Sequence, residues 1–208
     1  MTMRNVKITE SVKARLPVYL HYLKSLPSDG KGTISSAAIA EGLGLGEVQV
    51  RKDLALVSGA GKPKIGYYTS ELTEHLEDAL GIKKETTNAV VVGAGKLGKA
   101  LLLYDGFAEF GLCLAAAFDK DENKAGAISE TKTVYPMSEL KRFCKEHGVK
   151  IGVIAVPESG AENAFETLSE CGVSAVWNFS PIRLKSTDKI RVKNENLAAS
   201  LAVLAADL

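Results

Sequence analysis

The run Ala-Val-Val-Val-Gly-Ala-Gly-Lys-Leu-Gly-Lys-Ala-Leu at positions 89 to 101 constrains the fold more than any other stretch. A short apolar segment rich in valine enters a glycine turn and then an amphipathic spacing, which is how a buried strand feeds a helix. Each glycine of Gly93-x-Gly95-x-x-Gly98 has its own mechanical reason. The first permits a tight turn, the second lets backbone approach a pyrophosphate, and the third packs helix against strand. Free N–H groups of the new helix, from Ala94 through Lys96 and Leu97, would then face phosphate oxygens. A glycine-rich turn can also be no more than a tight connection. Here it is followed by a helical pattern, Leu97, Ala100, Leu101 and Tyr104, and by a second apolar run, Leu112 to Phe118, ending at Asp119. A carboxylate there, 24 positions past Gly95, suits a ribose diol and would repel a 2′-phosphate. The expectation is an α/β domain of Rossmann type that binds NAD(H).

A chain of 208 residues can hold two modest domains, each with its own core. No apolar run approaches the length that spans a bilayer, and no hydrophobic h-region follows Met1-Thr-Met-Arg, so the cytoplasm is the expected location. Cys113, Cys144 and Cys171 are odd in number and far apart in sequence, with no Cys-x-x-Cys spacing. They read as small core thiols rather than a disulfide framework or a metal site. Charge is distributed unevenly: residues 1 to 69 carry ten Lys or Arg against five Asp or Glu, and the remainder is acidic by four. A small basic domain joined to an acidic one is expected when one end meets nucleic acid.

Ser11 to Leu26 has helical spacing with Pro17 near its first turn. Ile34-Ser35-Ser36 is placed to cap a short helix, 37 to 41, and Gly42-Leu-Gly-Leu-Gly46 supplies a turn before a second helix, 47 to 57. Helix, glycine turn, helix is the layout of a helix-turn-helix. On the second helix Gln49, Arg51, Lys52 and Asp53 are expected to project between buried positions, toward base edges or phosphates. The segment 59 to 68 reads as a hairpin wing with Lys62 and Lys64 at its tip, completing a winged helix. Ser70 is placed to cap a further helix to Leu80, and Lys83 to Asn88 is a polar boundary. The expected domains are 1–84, a winged helix; 85–193, the Rossmann domain; and 194–208, a terminal helix.

Past Asp119 the pattern alternates: helix at 138–147, strand at 151–156, helix at 161–171, strand at 174–179. That order means a parallel sheet with both faces covered. Val156-Pro157-Glu158-Ser159 and Asn178-Phe179-Ser180-Pro181 are placed at the carboxyl ends of strands, where open α/β sheets bind ligands. Leu197 to Leu208 is apolar around most of its surface and therefore needs burial on more than one side.

Several motifs in order carry a resemblance: Arg15-Leu16-Pro17 with Tyr19-Leu20 and Tyr22-Leu23, Ile34-Ser35-Ser36-Ala37, Gln49-Val50-Arg51-Lys52-Asp53-Leu54, Gly66-Tyr67, Gly93 to Gly98, Phe118-Asp119-Lys120-Asp121, Val156-Pro157 and Asn178 to Pro181. Over nearly its whole length the chain resembles the Rex family of redox-sensing transcriptional repressors. The resemblance implies a homodimer whose winged helices bind an inverted-repeat DNA operator and whose Rossmann domains bind NADH or NAD, with NADH releasing the operator. It also implies a C-terminal helix exchanged between subunits. The cofactor residues would be Gly93, Ala94, Gly95, Lys96, Leu97, Gly98, Tyr104, Asp119, Lys120 and Lys124, with Val156, Pro157, Asn178 and Phe179 on the nicotinamide side. The DNA contacts would be Ser35, Ser36, Gln49, Arg51, Lys52, Lys62 and Lys64. Two positions depart from the family, which usually has arginine where this chain has His21 and aspartate where it has Asn196; both are expected to carry the signal between domains. Ala55-Leu56-Val57-Ser58 replaces the usual Ser-Tyr-Phe-Gly.

An NAD-dependent oxidoreductase is the rival reading. Hydride transfer to a carbonyl wants a general acid or base in the cleft, and His21, His75 and His147 all lie away from strand ends, which leaves Tyr104 as a possible proton donor. A nucleotide- or CoA-binding protein without DNA contact fits the sheet but gives the basic segment no role. The expectation is a non-enzyme.

Overall fold

The structure, a computed structural model, describes residues 8–27, 32–82 and 85–206. Its contacts divide the chain into two compact units, Met1–Lys84 and Glu85–Leu208.

The first unit begins with two helices, α1 (Glu10–Lys13) and α2 (Leu16–Ser25), where the sequence pattern suggests one. Pro17 explains the break: it has no N–H to give and its ring crowds the carbonyl four residues back, so Pro17 is tolerated only in the first turn of a new helix. Then come β1 (Thr33–Ile34), α3 (Ser36–Leu43), α4 (Glu47–Ser58), β2 (Tyr67–Tyr68) and α5 (Thr69–Leu80). Ser35 caps α3 by accepting from the Ala38 N–H at 3.0 Å, and Gly44, at φ 64°, ends it in the left-handed region that suits glycine. Ser70 is not the cap of α5. The helix starts one residue earlier, where the Thr69 N–H and Oγ1 both donate to the Gly32 carbonyl at 3.1 Å. Leu16, Tyr19, Leu20, Leu23, Ile39, Val50, Leu54, Leu72 and Leu76 form the buried interior of this unit.

The second unit carries a sheet of seven strands among the described residues: β3 (Thr87–Val92), β4 (Leu112–Asp119), β5 (Gly126–Ala127), β6 (Thr133–Pro136), β7 (Ile151–Ile154), β8 (Ala175–Asn178) and β9 (Arg191–Asn194). Their spatial order is β5-β6-β4-β3-β7-β8-β9, with only the β5–β6 edge pair antiparallel. The helices are α6 (Lys96–Leu102), α7 (Leu140–Glu146), α8 (Glu158–Glu170) and α9 (Leu197–Ala205). The chain leaves β3 toward β4 and β6, then returns to the other flank of β3 at β7. Connections diverge at that switch point, opening a crevice beyond the strand ends.

The helix after the glycine turn does not extend to Tyr104. It ends at Leu102, and a 3-10 segment, Asp105–Phe110, follows, with Tyr104 lying over Gly106 and edge-on to Phe107 at 5.0 Å. Its buried positions are Gly98 and Leu102, four apart, while Ala100 and Tyr104 face outward. The face was set by the need of Gly98 to meet the strand. Among the described residues no helix is long and apolar enough to cross a membrane, and no group of three or more His, Cys, Asp or Glu could hold a metal ion.

Candidate nucleic-acid interface and cofactor cleft

Helix α4 turns four residues inward, Val50, Asp53, Leu54 and Val57, and leaves Gln49, Arg51 and Lys52 exposed. Asp53 is therefore a correction, since the expected outward acid is 4% exposed. Arg15 grips it in two parallel bonds, Nε to Oδ2 at 2.7 Å and an Nη to Oδ1 at 2.9 Å, and the Tyr19 hydroxyl donates to Oδ2 at 2.8 Å. Burial pushes the Asp53 carboxyl up, but the bonds from Arg15 and Tyr19 outweigh it and hold it below the usual carboxylate range. The Arg15 guanidinium is correspondingly raised by its bond to Asp53. This network ties α4 to the start of α2, so the exposed donors of α4 project from a fixed base.

The wing is smaller than a hairpin of two strands. One bridge closes it, Lys62 N–H to the Gly66 carbonyl at 2.7 Å and Gly66 N–H back to the Lys62 carbonyl at 2.8 Å. Beyond it β2 pairs with β1, Tyr67 opposite Ile34 and Tyr68 opposite Thr33. Pro63 cannot donate to a ladder, and Gly59-Ala60-Gly61 offers few side chains to hold one. Lys64 sits at the tip with φ 65°, whereas Lys62 stands at the bridge with its Nζ 4.3 Å from the centre of the Tyr68 ring. Ser36 is the first residue of α3 and half-buried, and the hydroxyl of Ser35 is committed as a cap acceptor. His21 lies exposed on α2.

In the second unit the glycine turn joins β3 to α6. Gly93 adopts φ 103°, and a Cβ there would stand 2.5 Å from the Ala155 carbonyl oxygen; a Cβ on Gly98 would overlap the Gly93 carbonyl. These two glycines answer to the chain itself. A Cβ on Gly95 would meet nothing within 4 Å, and its φ of −75° is ordinary. Intramolecular packing gives no reason for glycine at Gly95, which fits a position kept bare for an approaching ligand.

Beside the turn lies a cleft of about 320 Å³ lined by Gly93, Gly95, Phe118, Asp119, Lys120, Lys124, Met137, Val156, Pro157, Ser159, Gly160 and Asn163, among others. It brings together the glycine turn, the end of β4 and the loop after β7. Asp119 is 6% exposed and already engaged: Oδ2 accepts from the Ala94 N–H at 2.8 Å and from Lys124 Nζ at 2.9 Å, and Oδ1 from the Asp121 N–H at 2.9 Å. Burial raises its carboxyl, and the bonds from Asp121, Lys124 and Ala94 together lower it further, so it is a carboxylate.

Ala94, Lys96, Leu97, Gly98, Tyr104, Asn178 and Phe179 are not among the residues lining this cleft. Asn178 is wholly buried, donating to the Ile182 carbonyl at 2.8 Å and to Asn194 Oδ1 at 2.9 Å while its own Oδ1 accepts from the Ser180 N–H. It builds the loop that follows β8. Phe179 joins an aromatic run, Phe179 to Trp177 at 4.4 Å, Trp177 to Phe107 at 5.9 Å, and Phe107 to Tyr104. Ser159, at the strand end expected to face a ligand, lines the cleft, whereas Gly160 and Asn163 carry no such signal in the sequence. They enter because the helix starts directly after Pro157, three residues before the expected Ala161.

Cys144 and Cys171 are separated by 27 positions yet meet in one apolar cluster, Cys144 within it and Cys171 packed against it. Burial pushes the Cys144 thiol up to about 12 and raises Cys171 as well, so both stay protonated at neutral pH. Asn196 caps α9, its Oδ1 accepting from the Ala199 N–H at 2.9 Å, and Leu197, Leu201, Val203 and Leu204 of that helix are all exposed.

Residues 7–55 match a family model described as "Putative DNA-binding protein N-terminus", and residues 84–182 match one described as "CoA binding domain". A redox-sensing transcriptional repressor Rex from Desulforamulus reducens is 39% identical over 206 residues, 99% of this chain and 98% of its own. The Rex of Carboxydothermus hydrogenoformans is 41% identical over 97% of both chains. The chain belongs to the Rex family of redox-sensing transcriptional repressors. Among solved structures, RSP in complex with β-NAD⁺ and operator DNA is similar with a TM-score of 0.86 at 31% identity, covering 98% of this chain and 93% of that one. RSP in complex with β-NADH gives 0.81 at 30%, covering 98% and 95%. The fold of this Rex-family chain is thus a DNA-binding N-terminal unit followed by a Rossmann-like unit.

Proposed function

We propose that this chain is a DNA-binding repressor that senses the NADH/NAD balance, holding its operator when NADH is scarce and releasing it when NADH binds. The observation that carries the reading is that one chain joins an exposed Gln49-Arg51-Lys52 face to a glycine-turn cleft ending at Asp119, in a family whose solved members hold both NAD⁺ and operator DNA. Arg51, Lys52 and Gln49 reach base edges and phosphates, and Lys62 and Lys64 of the wing, with Ser35 and Ser36, steady the backbone of the duplex. The bare backbone at Gly95 and the N–H groups from Gly95 to Gly98 receive the pyrophosphate, while Ala94, whose N–H is held by Asp119, shapes the turn beneath it. Asp119 takes the ribose diol, with Lys120 and Lys124 beside it, which favours NAD(H) over NADP(H). Val156 and Pro157 wall the cleft toward the nicotinamide, whose redox state supplies the signal. Asn178, Phe179 and Tyr104 shape that end of the sheet and relay it.

The protein acts in the cytoplasm as a homodimer on an inverted-repeat operator. The exposed leucines of α9 favour this, because so apolar a helix gains about 25 cal/mol for each Å² it buries. His21 and Asn196 stand where the family's signalling arginine and aspartate stand, and they transmit the signal with a weaker bond. No metal takes part. Titrating an operator complex of the full chain with NADH, NADPH and CoA in turn tests the reading. Release by NADH at lower concentration than by the other two supports it, and release by CoA alone overturns it.

A further inference from the structure

The second residue of α4 is a valine, Val48, set among polar neighbours at the exposed end of the helix. Val48 is 54% exposed. At 100° per residue, Val48, Lys52 and Ala55 form the outermost line of α4, opposite the buried Val50, Asp53, Leu54 and Val57, with Gln49 on one side and Arg51 on the other. An isopropyl group has no donor or acceptor, so at the crest of a helix surrounded by cations and amides it gains only from an apolar partner.

The first turn of a recognition helix in this layout meets base edges in the major groove. A helix N-terminus would otherwise draw a phosphate, but Glu47 in the same turn opposes an anion and Val48 offers it nothing. Phosphate contact is left to the lysines. On the base edges of unmodified DNA the one apolar group in the major groove is the 5-methyl of thymine. We infer that Val48 reads the 5-methyl group of a thymine in each operator half-site, an assignment that rests on α4 being the DNA-reading helix.

Deoxyuridine differs from thymidine by that methyl alone. The test selects an operator duplex from a random library with the full-length protein, then replaces each thymine pair in turn with deoxyuridine, symmetrically in the two half-sites, and measures affinity by fluorescence anisotropy at one salt concentration. At one thymine position the loss should be about fourfold per half-site, or about fifteenfold for both, as expected for one methyl group's burial. In Val48→Ala the same replacement should change affinity less than twofold, while the salt dependence of binding stays that of the parent, since no phosphate contact is lost. Val48 packs into no core, so the variant should keep the parent's circular dichroism and its response to NADH. Operator binding that ignores every thymine-to-uracil change, or a penalty that persists undiminished in Val48→Ala, overturns the inference while leaving the repressor reading intact. A full-length chain that selects no operator overturns both.

Discussion

Replacing Tyr19 with phenylalanine removes one oxygen from the interior of the first unit and leaves the ring in place. Tyr19 is fully buried, and its hydroxyl donates to Asp53 Oδ2 at 2.8 Å. Hydrogen bonds to a charged partner contribute roughly 1.5 to 3 kcal/mol net. Arg15 still holds both carboxylate oxygens in the variant, so Asp53 is not orphaned, and the loss should fall at the lower end, about 1.5 to 2 kcal/mol. The pH dependence follows from the direction of the Asp53 shift. Its folded carboxyl lies below the unfolded value, so the contribution is complete above about pH 4 and is lost as pH falls through the folded value. The difference between parent and variant should therefore be full at pH 7 and shrink in acid. Urea unfolding of the full chain, followed by circular dichroism, reads the helices of both units; Trp177 fluorescence reads only the second, which holds the chain's one tryptophan, so a dichroism shift without a fluorescence shift belongs to the first. The earliest dichroism midpoint should move to lower urea at pH 7. Unchanged midpoints in both signals at pH 7 would refute the claim that the hydroxyl stabilises Asp53.

Arg51→Ala should lose roughly 1 to 3 kcal/mol of operator affinity and relax specificity, whereas Lys64→Ala should weaken all sequences alike and flatten the salt dependence; salt series on operator and scrambled duplexes separate the two. Gly95→Val should keep the parent's thermal midpoint, since a Cβ there meets nothing within 4 Å, while calorimetry finds NADH binding lost. Asp119→Ala should narrow the preference for NADH over NADPH by removing the carboxylate that faces a 2′-phosphate; an undiminished preference would move that role elsewhere in the cleft. The pair His21→Arg with Asn196→Asp should shift the NADH/NAD ratio at half-release by about fivefold, the difference of about 1 kcal/mol between a neutral and a charge-assisted hydrogen bond. Aspartate caps a helix as well as asparagine does, so α9 should not suffer from the change.

Strong local signals carried most of the fold from the sequence alone. Valines into glycines located β3 and the start of α6, and serine and glycine punctuation located α3 and α4. What stayed hidden depended on partners distant in the chain. Asp53 lies between Arg51-Lys52 and Leu54, and nothing local distinguishes it from its exposed neighbours. Its burial comes from Arg15, 38 positions away. The cleft shows the same limit: Gly93, Asp119, Val156 and Ser159 are legible from their places at strand ends, but Gly160 and Asn163 enter only because α8 begins directly after Pro157. Asn178 has the right kind of position and another task, because Asn194 of the neighbouring strand β9 turns its amide toward the loop. β5 and β6 are too short and too polar at their ends to register as strands, and they form only against β4.

Control of operator binding by the cofactor is read most directly from the fraction of operator bound by the full chain at fixed salt while NADH replaces NAD⁺ at constant total dinucleotide. NADH should lower operator affinity by a factor within about 5 to 150, the usual range of coupling between two sites. Equal operator occupancy at both extremes, with NADH binding confirmed by its own fluorescence, would contradict the claim that the cleft controls the DNA-binding unit.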